Sequence, residues 1–297
     1  MASGLRALEG AAREADRARG RCVTGRLVVC PTPIGNLEDI TLRALSALRE
    51  ADVVACEDTR RTRVLLDRYG VSAKLVSYHE HNETARSAEL VERMRQGAVV
   101  ALVSDAGMPL VSDPGYLLVR GCVAAGLPVE VLPGPSAAIT ALVASGLPAD
   151  EWHFHGFLPR KKGELGRLLG AQAQTLVAFE SPRRVPATLA LLAALDSERE
   201  VAVCRELTKV HEEVVRGTAA EMAARYAEAP PRGEVVLVIG PASAAVTGPA
   251  AGADPAGLEA LRRLVAAGAH PRKAAGVVAE LTGSSANALY RALTARG

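Results

Sequence analysis

Val103-Ser104-Asp105-Ala106-Gly107-Met108-Pro109 follows directly on Ala98-Val99-Val100-Ala101-Leu102, and this junction decides how the chain is read. The unbroken apolar run suits a strand buried on both faces of a parallel sheet. It stops at Ser-Asp-Ala-Gly, and a second turn, Ser112-Asp113-Pro114-Gly115, leads into a helical pattern from Tyr116 to Ala125. A loop of small residues between the carboxyl end of a buried strand and a helix is where open α/β sheets bind ligands. Asp105 can accept hydrogen bonds from a ligand or cap the turn, and Gly107 allows close approach to the backbone. Taken alone, such a stretch is more often a tight strand-to-helix turn than a ligand loop.

The same alternation extends to both sides. Leu27–Cys30, Asp52–Cys56, Lys74–Tyr78 and Val129–Leu132 read as strands, separated by helices near Asp39–Arg49 and Glu83–Arg95. Repeated βα units predict a mostly parallel, helix-covered sheet over 25–136. From 137 to 240 the strands are fewer and more mixed: Trp152–Leu158, Thr175–Phe179, Val201–Cys204, Glu212–Arg216 and Glu234–Ile239, which predicts a second α/β domain. Residues 241–255 are rich in Ala, Gly, Pro and Ser, the composition of a flexible linker. Residues 256–297 read as three short helices with breaks at 268–271 and 282–285, Ser284 or Ser285 serving as a cap. Residues 1–24 read as a helical or disordered leader that resembles neither a signal nor a transit peptide.

Composition narrows the function. The 297 residues carry a net charge of +2, so nucleic-acid contact must come from local patches. Aromatic residues make up 3%, too few for a base-stacking surface. The five cysteines (Cys22, Cys30, Cys56, Cys122, Cys204) show no C-x-x-C spacing. They imply a reducing, cytoplasmic setting without a zinc site. No apolar run is long enough to span a membrane. Neither G-x-G-x-x-G after the first strand nor a P-loop occurs. Several strands end instead in small or kinked residues, at Pro33 and Gly35, at Ser104 to Gly107, and at Pro133 to Ser136. Such ends open a cleft with backbone walls, suited to a flat, polar, adenosine-like ligand.

Six motifs in order carry a resemblance: Pro31-Thr32-Pro33-Ile34-Gly35-Asn36-Leu37, Glu57-Asp58-Thr59-Arg60, Val103 to Gly107, Asp113-Pro114-Gly115-Tyr116, Leu132 to Ala138, and Arg205-Glu206-Leu207-Thr208-Lys209. Over residues 25–297 the chain resembles the ribosomal RNA methyltransferases of the tetrapyrrole methylase-like class, which use S-adenosylmethionine (SAM). The resemblance implies two α/β domains with a SAM cleft between them, plus a small C-terminal helical domain, in a homodimer. It also implies 2′-O-methylation of a cytidine ribose in the decoding region of 16S rRNA, with 16S rRNA or the small ribosomal subunit as partner and no metal. By resemblance, SAM should contact Pro33, Gly35, Ser104, Asp105, Ala106, Gly107, Met108, Ser136 and Ala137, with Phe179, Glu180 and Leu207 from the second domain. Met108 stands where Thr is common in that group, and Pro182-Arg183-Arg184 where Pro-His-Arg is common.

A ribose hydroxyl needs a proton acceptor, and Asp58, Glu180 and Glu206 end strands on the cleft side. Each is as readily an ion-pair partner or a turn cap. His79 and His81 are further candidates, though His-x-His in a polar loop is commonly a solvated turn. Arg60, Arg61, Arg160, Lys161, Lys162 and Arg183 are candidates for RNA contact, since backbone phosphates are held by such groups. The segment from Asp254 to Gly297 adds six basic residues (Arg262, Arg263, Arg272, Lys273, Arg291, Arg296) against three acids (Asp254, Glu259, Glu280). That resembles a helix-turn-helix appendage or a small dimerisation module. Two other functions fit less well: C-methylation of a tetrapyrrole on the same fold, and a non-catalytic RNA-binding module.

Overall fold

The computed structural model describes residues 25–242, 255–282 and 284–294. The predicted leader (1–24) and nearly all of the predicted linker (243–254) lie outside the described residues.

Two five-stranded sheets organise the chain. The first contains β1 (Arg26–Val29), β2 (Val53–Cys56), β3 (Leu75–Ser77), β4 (Val99–Val103) and β5 (Val129–Val131), in the order β3-β2-β4-β1-β5. All its pairings are parallel. The apolar run Val99–Val103 is the central strand, and all five of its residues are buried. Its side chains alternate between two cores, as the pleat requires. Val99, Ala101 and Val103 face α1 (Leu42–Glu50) and α2 (Thr59–Arg68), while Val100 and Leu102 face α3 (Glu83–Arg95) and α4 (Tyr116–Ala124).

The second sheet has the order β6-β7-β10-β8-β9. Its strands are β6 (Trp152–Phe157), β7 (Thr175–Glu180), β8 (Glu200–Arg205), β9 (Glu213–Thr218) and β10 (Val235–Ile239). β6 and β7 pair in parallel, and the remaining pairings are antiparallel. One face packs on α6 (Lys162–Ala171), α7 (Val185–Leu195) and α8 (Ala219–Tyr226). The other face takes α5 (Ala137–Ser145) and also Ile34 from the loop after β1, so the first sheet's loop enters the second sheet's core.

The predicted helix from Asp39 begins later, at Leu42. Asn36 caps a separate 3-10 turn at Leu37–Asp39, Ile40 is extended, and the Thr41 hydroxyl accepts from the amide of Ala44 to start α1 afresh. Two caps five residues apart cannot serve one helix.

The last helices are α9 (Pro255–Ala266), α10 (Pro271–Thr282) and α11 (Ala286–Thr294). They enclose a small core of Leu261, Ala274, Ala275, Val278 and Leu289. Ser285 accepts from the amide of Ala288, as a cap does. This bundle touches the second sheet through an ion pair between Arg272 and Asp150. Among the described residues no helix is long and apolar enough to cross a membrane, and no group of three or more His, Cys, Asp or Glu is placed to hold a metal ion. Cys30, Cys56, Cys122 and Cys204 are free and buried. Burial pushes the Cys30 thiol up to about 12 and those of Cys122 and Cys204 up to about 11, which makes them inert core residues.

Candidate functional site

The loops after β1 and β4 are locked to each other. Thr32 and Gly107 exchange backbone hydrogen bonds of 2.9 and 3.0 Å, and the Thr32 hydroxyl donates to the Ser104 carbonyl at 3.0 Å. The β4 loop is held in unusual conformations: Gly107 has φ +82°, and Leu110 and Ser112, which are not glycines, have φ of 72° and 67°. Left-handed backbone at such residues persists only where the surroundings hold it, and it concentrates at functional sites. The loop after β8 carries two more, Glu206 and Thr208, at φ 52° and 66°. That loop meets the first sheet where the Asn36 amide donates to the Thr208 hydroxyl at 3.0 Å. Gly35 sits so close that a Cβ there would lie 2.5 Å from Lys209 Cγ.

Between the sheets these loops enclose a cavity of about 440 Å³. Gly107, Met108 and Asp113 form one wall, Ser136 to Ala138 a second, and Phe179 to Pro182 with Leu207 a third. Phe157 and Phe179 meet edge to face with ring centres 5.5 Å apart. Ser136 precedes α5 without making a side-chain cap, so the first amides of that helix lack side-chain partners. Across a shared wall lies a second chamber of about 350 Å³, lined by Pro33, Gly35, Arg61, Val64, Ser104, Asp105 and Lys209, among others. Ile34, Ala106 and Glu234 line both.

The residues predicted to contact a cofactor therefore divide. Ala106, Gly107, Met108, Ser136, Ala137, Phe179, Glu180 and Leu207 line the larger cavity, whereas Pro33, Gly35, Ser104 and Asp105 line only the smaller one. Asp105 Oδ1 accepts from the amide of Asp58 at 2.9 Å, and Oδ2 lies 3.6 Å from Arg61.

All three carboxylates nominated for proton transfer have fixed partners. Asp58 caps α2 through the Arg60 amide at 2.8 Å and pairs with the Arg60 guanidinium at 2.7 Å, which holds its carboxyl well below the usual range. Glu180, buried, accepts from the Thr188 hydroxyl and the Ser181 amide, each at 2.8 Å, and faces Arg184 at 3.3 Å. Glu206 accepts from Lys209 Nζ and the Glu234 amide, each at 2.9 Å, and is likewise held low. His79 and His81 stand on a turn before α3, where the His79 ring lies 3.3 Å from Asn82.

Asp113 and Glu234 were not among the sequence candidates. Burial, with Glu57 and Asp105 nearby, raises the Asp113 carboxyl to about 6, against the pull of a hydrogen bond with Ser104. Its signal in the sequence is the second Ser-Asp turn nine residues after the strand. Glu234, at the threshold of β10 beside Gly233, bonds Lys209 at 3.0 Å and gives no such signal. The basic candidates are exposed. Arg60 and Arg61 lie on α2, Arg61 lining the smaller chamber, Arg160, Lys161 and Lys162 lie at the start of α6, and Arg183 on the turn before α7.

A cleft of strained loops between a parallel sheet and a mixed one defines a class, and the comparisons name it. The family model described as Tetrapyrrole (Corrin/Porphyrin) Methylases matches residues 26–223. A crystal structure of uroporphyrin-III-C-methyltransferase from Thermus thermophilus superposes with a TM-score of 0.52 at 25% identity, covering 73% of this chain and 94% of that one. Curated relatives are closer. Ribosomal RNA small subunit methyltransferase I of Mesorhizobium japonicum is 50% identical, with 90% of each chain covered. The protein of the same name from Thermotoga maritima is 45% identical and is matched over 98% of its length by 72% of this chain. The chain belongs to the tetrapyrrole methylase family, in its ribosomal RNA small subunit methyltransferase I branch.

Proposed function

We propose that the protein transfers a methyl group from SAM to the 2′-hydroxyl of a cytidine ribose in the decoding region of 16S rRNA, acting as a homodimer on the small subunit. The observation that supports this reading best is the pair of adjoining chambers, one fit for a nucleoside donor and one flanked by exposed arginines. The relatives' names supply the rRNA substrate.

The larger cavity suits SAM in size and chemistry. Its volume falls in the range of about 300–1,000 Å³ typical of small-molecule sites. Apolar Leu207, Val236, Ala138 and Phe179 offer a slot for a purine nucleoside. Asp113 supplies negative charge toward a cationic ligand, and the open amides of α5 suit a carboxylate. When bound, SAM supplies an already activated methyl group. The chain then contributes alignment and exclusion of water, which carry most of such a transfer. In this reading Asp58 and Glu206 position the loops that carry Asp105 and Lys209. Glu180 holds the turn at Ser181 and Pro182 against the cavity. No metal takes part.

The test is incubation of the protein and SAM with small subunits lacking the modification, followed by alkaline hydrolysis of the rRNA. A 2′-O-methyl group protects one linkage, and mass spectrometry of the fragment reports a cytidine in the decoding region. Methylation of uroporphyrinogen III with rRNA untouched would replace this reading with the tetrapyrrole one.

A further inference from the structure

We propose that the smaller chamber takes the acceptor nucleotide, splayed out of the RNA, and that it meets the donor cavity at the shared wall of Ile34, Ala106 and Glu234. This rests on the methyl-transfer reading above and assigns the acceptor side, which that reading leaves open.

Three observations carry it. The first is adjacency: the two chambers share those three residues and no others of their linings. A group in the smaller chamber reaches the larger one only past a wall of two small or aliphatic side chains and one carboxylate. The second is charge. Arg61, on α2 and 3.6 Å from Asp105, faces Lys209 of the loop after β8, which bonds Glu206 and Glu234, and Arg63 stands exposed on the helix that carries Arg61. Cations on both sides of an opening suit a nucleotide with a phosphate on either flank, because phosphate contacts position RNA without reading it. The third is the lining itself. Pro33, Ile34, Leu37, Val64 and Leu65 give an aliphatic surface with no aromatic ring, and Asp105 and Glu234 are carboxylates able to accept from an exocyclic amine. RNA loops present single unstacked nucleotides of this kind to proteins.

Helix spacing supplies the probe. Arg61, Val64 and Leu65 fall on one face of α2. Val64 is 62% exposed, so enlarging it fills the mouth of the chamber without touching a core. Val64→Trp is expected to keep the parent's melting temperature and bind SAM within about twofold of the parent by calorimetry. Its affinity for unmodified small subunits in filter binding should fall at least tenfold, and its KM for them should rise in step. Val123→Trp, the same enlargement at a valine that is 67% exposed and lines neither chamber, should match the parent in all four measurements. A Val64→Trp protein with the parent's subunit affinity and KM overturns the proposal, as does a parallel loss of SAM affinity, which would make the chamber part of the donor site. A parent protein that binds SAM and subunits but methylates no rRNA overturns the underlying reading instead.

Discussion

Asp105 Oδ1 accepts the backbone N–H of Asp58 at 2.9 Å, so the loop after β4 holds the first turn of α2 in place. The Asp58 side chain caps that helix while its amide is satisfied from the neighbouring strand end. Charge-assisted bonds of this kind contribute about 1.5–3 kcal/mol. Asp105→Ala should therefore lower stability by about 1–2 kcal/mol in urea denaturation, since the freed amide can recruit water. SAM affinity should change by less than about threefold, because the carboxylate lines only the smaller chamber. A large loss of SAM affinity at unchanged stability would make Asp105 a direct cofactor ligand.

Asp113 predicts a pH dependence of opposite sign to that of a paired carboxylate. Its native carboxyl holds a proton up to about 6, against 3.8 ordinarily, because it is buried among Glu57 and Asp105. Between those values the native state binds more protons than the unfolded chain, so stability falls as pH rises through the window and levels off above about 6. Asp113→Asn should lose that decline, seen as a growing advantage in melting temperature over the parent from pH 4.5 to 6.5. SAM affinity of the parent should rise over the same window as the carboxylate ionises, and the variant should bind weakly and independently of pH. Parallel pH profiles for the two proteins would remove Asp113 from the cofactor's surroundings.

Arg199 is a stability device of the second sheet. It is 2% exposed, and its guanidinium donates to the carbonyls of Gly240 at 2.7 Å, Leu169 at 2.6 Å and Gln172 at 3.2 Å. Burial lowers its pKa without neutralising it. Arg199→Met would leave three carbonyls with no side-chain donor, so a loss of about 3 kcal/mol is expected by chemical denaturation, with SAM affinity unchanged in the folded fraction. A neutral substitution would mean that water replaces the guanidinium at this site.

How far the fold was legible depended on whether its determinants were local. All ten strands were readable, since runs such as Val99–Val103 and Val235–Ile239 are apolar throughout. Strand order was not, because hydrogen-bonded parallel neighbours such as β4 and β1 are distant in sequence and no local signal pairs them. The site was legible as a set of loops but not as two chambers. Which chamber Gly35 or Gly107 faces depends on contacts such as Asn36 with Thr208, 172 residues apart. Glu234 sits in an ordinary strand start and becomes visible only when Lys209 folds onto it.

Arg160, Lys161 and Lys162 test RNA delivery independently of the cleft. All three are exposed, and only Lys161 has an acidic partner among the described contacts, Glu164 at 3.3 Å. Replacing the three with Ala should reduce the salt slope of subunit binding by about 2, given roughly 0.7 per phosphate contact on single strands. SAM affinity should stay at the parent value. An unchanged slope would leave this turn as solvated surface.

The C-terminal helices make the last case. Their core is their own, and among the described residues the ion pair that ties them to the second sheet joins Arg272 and Asp150, each about half exposed. Such a pair contributes about 0–1 kcal/mol, and Tyr290, Arg291 and Thr294 add only the wall of a small cavity shared with Asp150, Gln174 and Pro241, so the bundle is expected to act through local concentration rather than by completing the cleft. Ending the chain after Ala242 keeps the bonds of Gly240 and Ala242 to Glu200, Arg199 and Gln172, and removes no residue that lines either chamber. The shortened protein should fold, bind SAM as the parent does, and show a raised KM on small subunits. Single-turnover methyl transfer at saturating subunit separates capture from chemistry, and the rate should return to the parent's. A rate that stays low at saturation would mean the helices complete the active site, and Arg272→Ala should then reproduce part of that loss in the full-length chain.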